Sequence, residues 1–159
     1  MRTKNSQKGF SLIELLIVVA IILIIAAIAI PNLLRSRMAA NEASAVGSLR
    51  TLNTASVQYS TTYGTGFPVA IGNLGPANPA TSAAADLIDS VLASGTKSGY
   101  VFVLAGVAGT GGTIDTYTIT AIPSTVGTTG QRSFFTDQSG VIRADTTGVT
   151  PDVNDQPIS

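Results

Sequence analysis

The chain has 159 residues, 45% hydrophobic and 11% charged, with nine Lys and Arg balancing nine Asp and Glu. It contains neither histidine nor cysteine, so the usual general base, imidazole metal ligand and thiolate nucleophile are missing and a disulfide framework is excluded. Beyond Tyr63 only Lys97, Arg132 and Arg143 stand against seven aspartates, which excludes a general basic surface for nucleic acid.

Arg2, Lys4 and Lys8 form a short basic leader that ends at Gly9. From Phe10 to Ile30 the only polar side chains are Ser11 and Glu14. As a helix this segment spans roughly 31 Å, about the thickness of a bilayer's hydrocarbon core. Its apolar residues leave no polar face, and backbone groups in lipid must be satisfied within the segment, so the spacing predicts a membrane-fit α-helix. Three basic residues precede the span and two, Arg35 and Arg37, follow it, which favours a cytoplasmic leader. A secretory signal would have an apolar stretch of about 7 to 15 residues followed by a small-residue cleavage site. Here the stretch is longer, and Ala27-Ile28-Ala29 lies inside it. A plain uncleaved anchor explains the length but not the carboxylate of Glu14, because ionisable groups within a span are costly and mark function when a partner can be named.

Gly9, Phe10, Ser11-Leu12-Ile13-Glu14-Leu15-Leu16, the apolar run and Pro31-Asn32 together resemble the first third of type IV pilins, including the pseudopilins of type II secretion. The resemblance implies cleavage between Gly9 and Phe10 by a membrane-embedded prepilin peptidase and methylation of the new Phe10 amine. It also implies that Glu14 pairs with the terminal amine of a neighbouring subunit as that subunit joins a filament. Opposite charges in an apolar bundle cost much less together than apart. The spacing leaves a second pairing open, since Phe10 and Glu14 are four residues apart on one helix face of a single chain.

Pro31 either ends the membrane helix or bends it. The following residues keep helical spacing, with Met38, Ala45, Leu49, Leu52, Ser56, Tyr59 and Tyr63 following 3,4 steps and Gly64 and Gly66 offering a stop. The expectation is one long helix over 10–63, bent near Pro31, whose second half is amphipathic and packs through Leu49, Leu52, Tyr59 and Tyr63. The family resemblance implies the same plan.

Gly64 to Ala85 is rich in Gly, Thr, Ser, Ala and Pro, with Gly75-Pro76 and Asn78-Pro79 as turn signals, and is expected to be a surface loop. Asp86 to Ala93 is expected to form a short helix ended by Gly95. Strands are expected over Tyr100–Ala105, Asp115–Ile122, Ser133–Thr136 and Val141–Ala144, with Asp137-Gln138-Ser139-Gly140 as a hairpin loop. Thr146 to Ser159, with Pro151 and Pro157, is expected to be an irregular tail. The resulting fold class is α+β: a basic leader (1–9), a long helix (10–63, of which 10–30 is membrane or filament core), a small antiparallel β domain (64–145) and a tail (146–159).

Gly95-Thr96-Lys97-Ser98 has the ending of a phosphate-binding loop without its glycine spacing, and a lysine in a turn explains it better. Asp137, Asp145, Asp152 and Asp155 are candidate calcium ligands, as the resemblance to major pseudopilins implies, but they lack a recognised ligand spacing, so solvated loop carboxylates are the simpler expectation and no cofactor is expected. Asn-x-Ser/Thr acceptors are absent. Pilins often close a C-terminal loop with a disulfide, a pattern from which this chain departs.

Two functional classes, three readings in all, follow. The resemblance implies a filament subunit, assembled as a helical homopolymer by a cytoplasmic ATPase and an inner-membrane platform, passing an outer-membrane secretin, and held in lipid as a single-pass inner-membrane protein before assembly. The close alternative is the major pseudopilin of a secretion system, with a periplasmic filament. From the other class comes a membrane-tethered binding domain that never polymerises.

Overall fold

The computed structural model describes residues 9–148 and 151–158; the leader residues Arg2, Lys4 and Lys8 lie outside the described residues. The fold is α+β, with a long N-terminal helix and a small antiparallel sheet. Helix α1 runs Leu12–Tyr63 without interruption and contains Pro31. Two compact units divide the chain inside this helix, the first ending at Ser36 and the second beginning at Arg37. In the first unit, the large apolar side chains from Leu12 to Leu34 are exposed, and the helix is long and apolar enough to cross a membrane.

In the second unit, Ala45, Leu49, Leu52, Ala55 and Tyr59 of α1 are buried in one core. The 3,4 spacing of these residues puts them on one stripe, and each fully buried leucine contributes roughly 1.5–3 kcal/mol. Strands β1 (Thr96–Lys97), β2 (Tyr100–Ala108), β3 (Ile114–Pro123), β4 (Ser133–Asp137), β5 (Arg143–Asp145) and β6 (Gln156–Pro157) pair antiparallel in sequence order as a meander. Strand alternation places Tyr100, Phe102 and Leu104 of β2, and Tyr117, Ile119 and Ala121 of β3, inward against the α1 stripe. Val101, Val103 and Val107 face outward.

Several local expectations are corrected. Only Ser90–Ala93 is helical (α2), with Asp89 as its N-cap accepting from the Leu92 N–H at 2.9 Å. Asp86 has φ 55°, a left-handed conformation incompatible with helix, so the expected start at residue 86 fails. Gly95, at φ 78°, follows α2 as expected.

Lys97 lies in β1 rather than in a turn and pairs with Asp89 at 3.3 Å. The turn is Ser98-Gly99, both at positive φ, a two-residue hairpin of the type that matches strand twist.

The segment after α1 is more than a surface loop. Phe67 N–H donates to the Ile114 carbonyl at 2.8 Å, Gly106 N–H donates to Val69 at 2.9 Å, and a 3-10 turn (Ile71–Leu74) buries Leu74 completely. A Cβ on Gly106 would lie 2.5 Å from the Pro68 carbonyl oxygen, so only glycine admits this crossing. The expected tail is partly ordered as well, because β6 pairs with β5 and Ile158 N–H donates to Ile142 at 2.9 Å.

Two buried hydroxyls, Ser56 Oγ and Ser133 Oγ, have no hydrogen-bond partner among the described residues. An unpaired hydroxyl in a dry core costs more than the methyl that would replace it, so Ser56→Ala should raise unfolding free energy by about 1 kcal/mol. Denaturant titration of the two chains checks this, and an unchanged or lower midpoint would contradict it.

Candidate assembly site at the start of the apolar helix

Gly9 and Phe10 lie in an exposed segment before α1 that is neither helix nor strand, and Phe10 is 87% exposed. Ser11 caps the helix: its carbonyl accepts the Leu15 N–H at 3.2 Å. Its own N–H donates to Glu14 Oε2 at 2.8 Å. This is the glutamate half of a capping box, written in the sequence as Ser11-x-x-Glu14, and it gives Glu14 a local partner beyond the two pairings anticipated from sequence. A carboxylate in the first turn also meets the positive end of the helix dipole.

The cap satisfies one carboxylate oxygen of the exposed Glu14, on a helix whose next polar side chain is Asn32. Gly9 and Phe10 immediately precede this cap, and Glu14 lies in the first turn of α1. Pro31 lies about five turns further along α1, where its missing N–H leaves the Ala27 carbonyl without its usual helical donor.

The four candidate calcium ligands do not converge. Asp137 pairs in register with Thr118 and Asp145 with Ser133, at opposite ends of β4, about 13 Å apart by strand rise. Asp155 Oδ2 accepts the Asp152 N–H at 2.7 Å, and Asp152 Oδ1 accepts the Asn154 N–H at 2.7 Å, so these two carboxylates shape a turn. Among the described residues no group of three or more potential metal-ligating side chains forms.

A charged group that the sequence did not single out is Glu42, buried on α1. Its Oε1 accepts the backbone N–H of Gln131 at 2.9 Å and of Arg132 at 3.1 Å, and its Oε2 accepts Arg132 Nε at 2.9 Å. Burial alone would raise its pKa, but these donors together with the Arg132 charge outweigh it and hold the carboxyl below its ordinary range. Tyr100 donates to the Arg132 carbonyl at 2.7 Å, and burial pushes its own pKa up, so it remains a donor. This cluster fastens the β3–β4 loop to α1.

Residues 4–30 match the family model of the prokaryotic N-terminal methylation motif. Over 38 residues, 24% of this chain, the sequence is 69% identical to the Type IV wide pilus major component PilA4 of Thermus thermophilus, and the match spans 29% of that protein's length. No solved structure matches the chain significantly. The matched residues include the start of the exposed, capped and almost wholly apolar part of α1. Over this N-terminal segment the chain is similar to type IV pilins.

Proposed function

We propose that this chain is the structural subunit of a type IV pilus-like filament. The observation that supports it best is Glu14, whose carboxylate sits in the first turn of an exposed apolar helix and accepts the N–H of Ser11, the residue after the one that would become the N-terminus. In this reading residues 1–9 are the leader, prepilin peptidase cuts between Gly9 and Phe10, and the Phe10 amine is methylated. Residues 10–30 hold the precursor in the inner membrane as a single span and then form the filament core, 64–145 form the displayed domain and 146–159 its C-terminal segment. Pro31 marks where α1 yields during extraction, since a helix lacking one internal hydrogen bond opens there most readily.

Cleavage creates a cation that did not exist in the precursor, and Glu14 of the neighbouring subunit neutralises it in an apolar bundle. The partners are further copies of the chain, the peptidase, an inner-membrane platform with its cytoplasmic ATPase, and an outer-membrane secretin. Mass spectrometry of the mature chain should find residues 1–9 removed and an N-methylated Phe10 at the new terminus. Sheared surface filaments should contain that same species. An uncleaved monomeric chain would overturn the proposal, and loss of protein secretion without loss of surface fibres on deleting the chain would transfer it to a secretion pseudopilus.

A further inference from the structure

Within the second unit a groove of about 350 Å³ lies between α1 and the sheet, a volume in the range of small-molecule clefts. Glu42, Val46 and Arg50 follow one another at four-residue steps along its α1 wall, and Arg132, Phe134 and Ile158 form the other side. Both oxygens of Glu42 are already engaged, Oε1 by the Gln131 and Arg132 N–H groups and Oε2 by the Arg132 side chain. Arg132 is thereby held in place, its guanidinium 5.5 Å from the centre of the Phe134 ring. Its Nη1 makes no hydrogen bond among the described residues. The Arg50 side chain is exposed and has neither an ion pair nor a hydrogen bond among them.

Two guanidinium groups against the single carboxylate of Glu42 leave this groove one positive charge in excess. A carboxylate ligand balances that charge, whereas a phosphate monoester brings close to two negative charges at neutral pH. Beyond Tyr63 seven aspartates face three basic residues, so the surrounding field repels a densely charged polyanion. The complementary ligand is a small monoanion.

Arg132 and Ile158 also line a second groove, of about 290 Å³, with Thr146, Gln156 and Pro157. The Thr146 hydroxyl and the Gln156 amide are exposed and make no hydrogen bond among the described residues. Asp145 and Asp155 neighbour them in sequence, but Asp145 accepts from Thr147 and Asp155 from the Asp152 N–H, and neither lines the groove. At Arg132, therefore, a pair of cationic donors adjoins a neutral hydroxyl and amide. We infer that the two grooves form one binding site for a monosaccharide-sized sugar acid. Its carboxylate takes Arg50 and Arg132 Nη1, its ring lies against Ile158, and its hydroxyls meet Thr146 and Gln156. The site lies wholly within the second unit and does not depend on polymerisation.

The test is equilibrium dialysis of radiolabelled glucuronate against the full chain in a polyoxyethylene detergent, which carries no sugar to compete. Binding should be saturable and about tenfold or more tighter than that of glucose, which lacks the carboxylate, or of acetate, which lacks the hydroxyls. Arg50→Ala should weaken it about tenfold or more, and Gln156→Ala about threefold. Both side chains are exposed, so the two variants should unfold at the wild-type temperature, which separates lost binding from lost fold. Retained binding of methyl glucuronoside, whose blocked anomeric oxygen imitates a glycan linkage, would identify the end of an acidic glycan as the source, and its loss the free sugar acid; both outcomes support the site. Absence of saturable binding to the folded wild-type chain, inorganic phosphate bound as tightly as glucuronate, or unchanged glucuronate binding in Arg50→Ala would overturn it.

Discussion

Replacing Glu14 with alanine should leave a chain that is inserted, cleaved and methylated yet enters filaments at roughly a hundredth of the normal yield. The magnitude follows from leaving one buried charge without its partner, a loss of about 3 kcal/mol or more. A purely local role predicts much less: the Ser11 N–H to Glu14 contact at 2.8 Å is a helix cap, and losing a cap costs about 1 kcal/mol, felt as fraying of the first turn. Glu14→Gln separates the two. Glutamine can still accept the Ser11 N–H, so a capping role would be preserved, but it carries no charge to neutralise the Phe10 amine. Filament yield from Glu14→Gln should therefore be as low as from Glu14→Ala, and recovery with glutamine would assign Glu14 to the cap alone.

Glu42→Ala should lower the stability of the second unit by about 3 kcal/mol, seen as a drop on the order of 10 °C in the unfolding temperature of the detergent-solubilised chain. The change strips the Gln131 and Arg132 N–H groups of their acceptor at a buried position. It also leaves the Arg132 guanidinium without its carboxylate 2.8 Å away. Arg132 is 44% exposed, so solvent screens the ion pair and most of the effect comes from the two orphaned backbone donors. Glu42→Gln, which keeps an acceptor, should lose less.

Acid has the same target. Because the folded pKa of Glu42 lies below its ordinary 4.5, the unfolded chain binds the proton more readily. The stabilisation is fully present above that ordinary value and is lost as pH falls through the lowered folded value. The wild-type chain should therefore lose stability below pH 4.5 more steeply than Glu42→Gln. Parallel acid titrations would contradict the assignment.

Different kinds of information were legible at different ranges. The inward stripe of α1 was readable because Leu49, Leu52, Ser56 and Tyr59 repeat at helical spacing, and the β4–β5 turn because Asp137 to Gly140 has turn chemistry between two apolar runs. Phe67, Pro68 and Leu74 have no period, and the glycine- and threonine-rich composition around them hid a segment that covers the core. β6 was hidden for a related reason: a two-residue edge strand containing Pro157 carries almost no local signal and exists only because β5 offers it a ladder. Helix α2 began four residues late because Asp86 adopts a left-handed conformation set by its neighbours, including the Gly75 carbonyl that its N–H reaches at 2.8 Å.

The sequence by itself determined the apolar helix and the position of its single carboxylate, since both are properties of consecutive residues and of a solvent that penalises polar groups. It also contained the Ser11-x-x-Glu14 cap, which spans four residues and needs nothing distant. Only the tertiary structure decided that Glu42 is an anchor while Arg50 is left exposed. Eight residues separate them on one helix, but Glu42 accepts backbone donors from a loop 89 residues further along the chain, whereas Arg50 forms no ion pair among the described residues. Whether a charge becomes part of the core or part of a surface depends on which distant backbone donors the fold delivers to it, and no local pattern in the chain encodes that delivery.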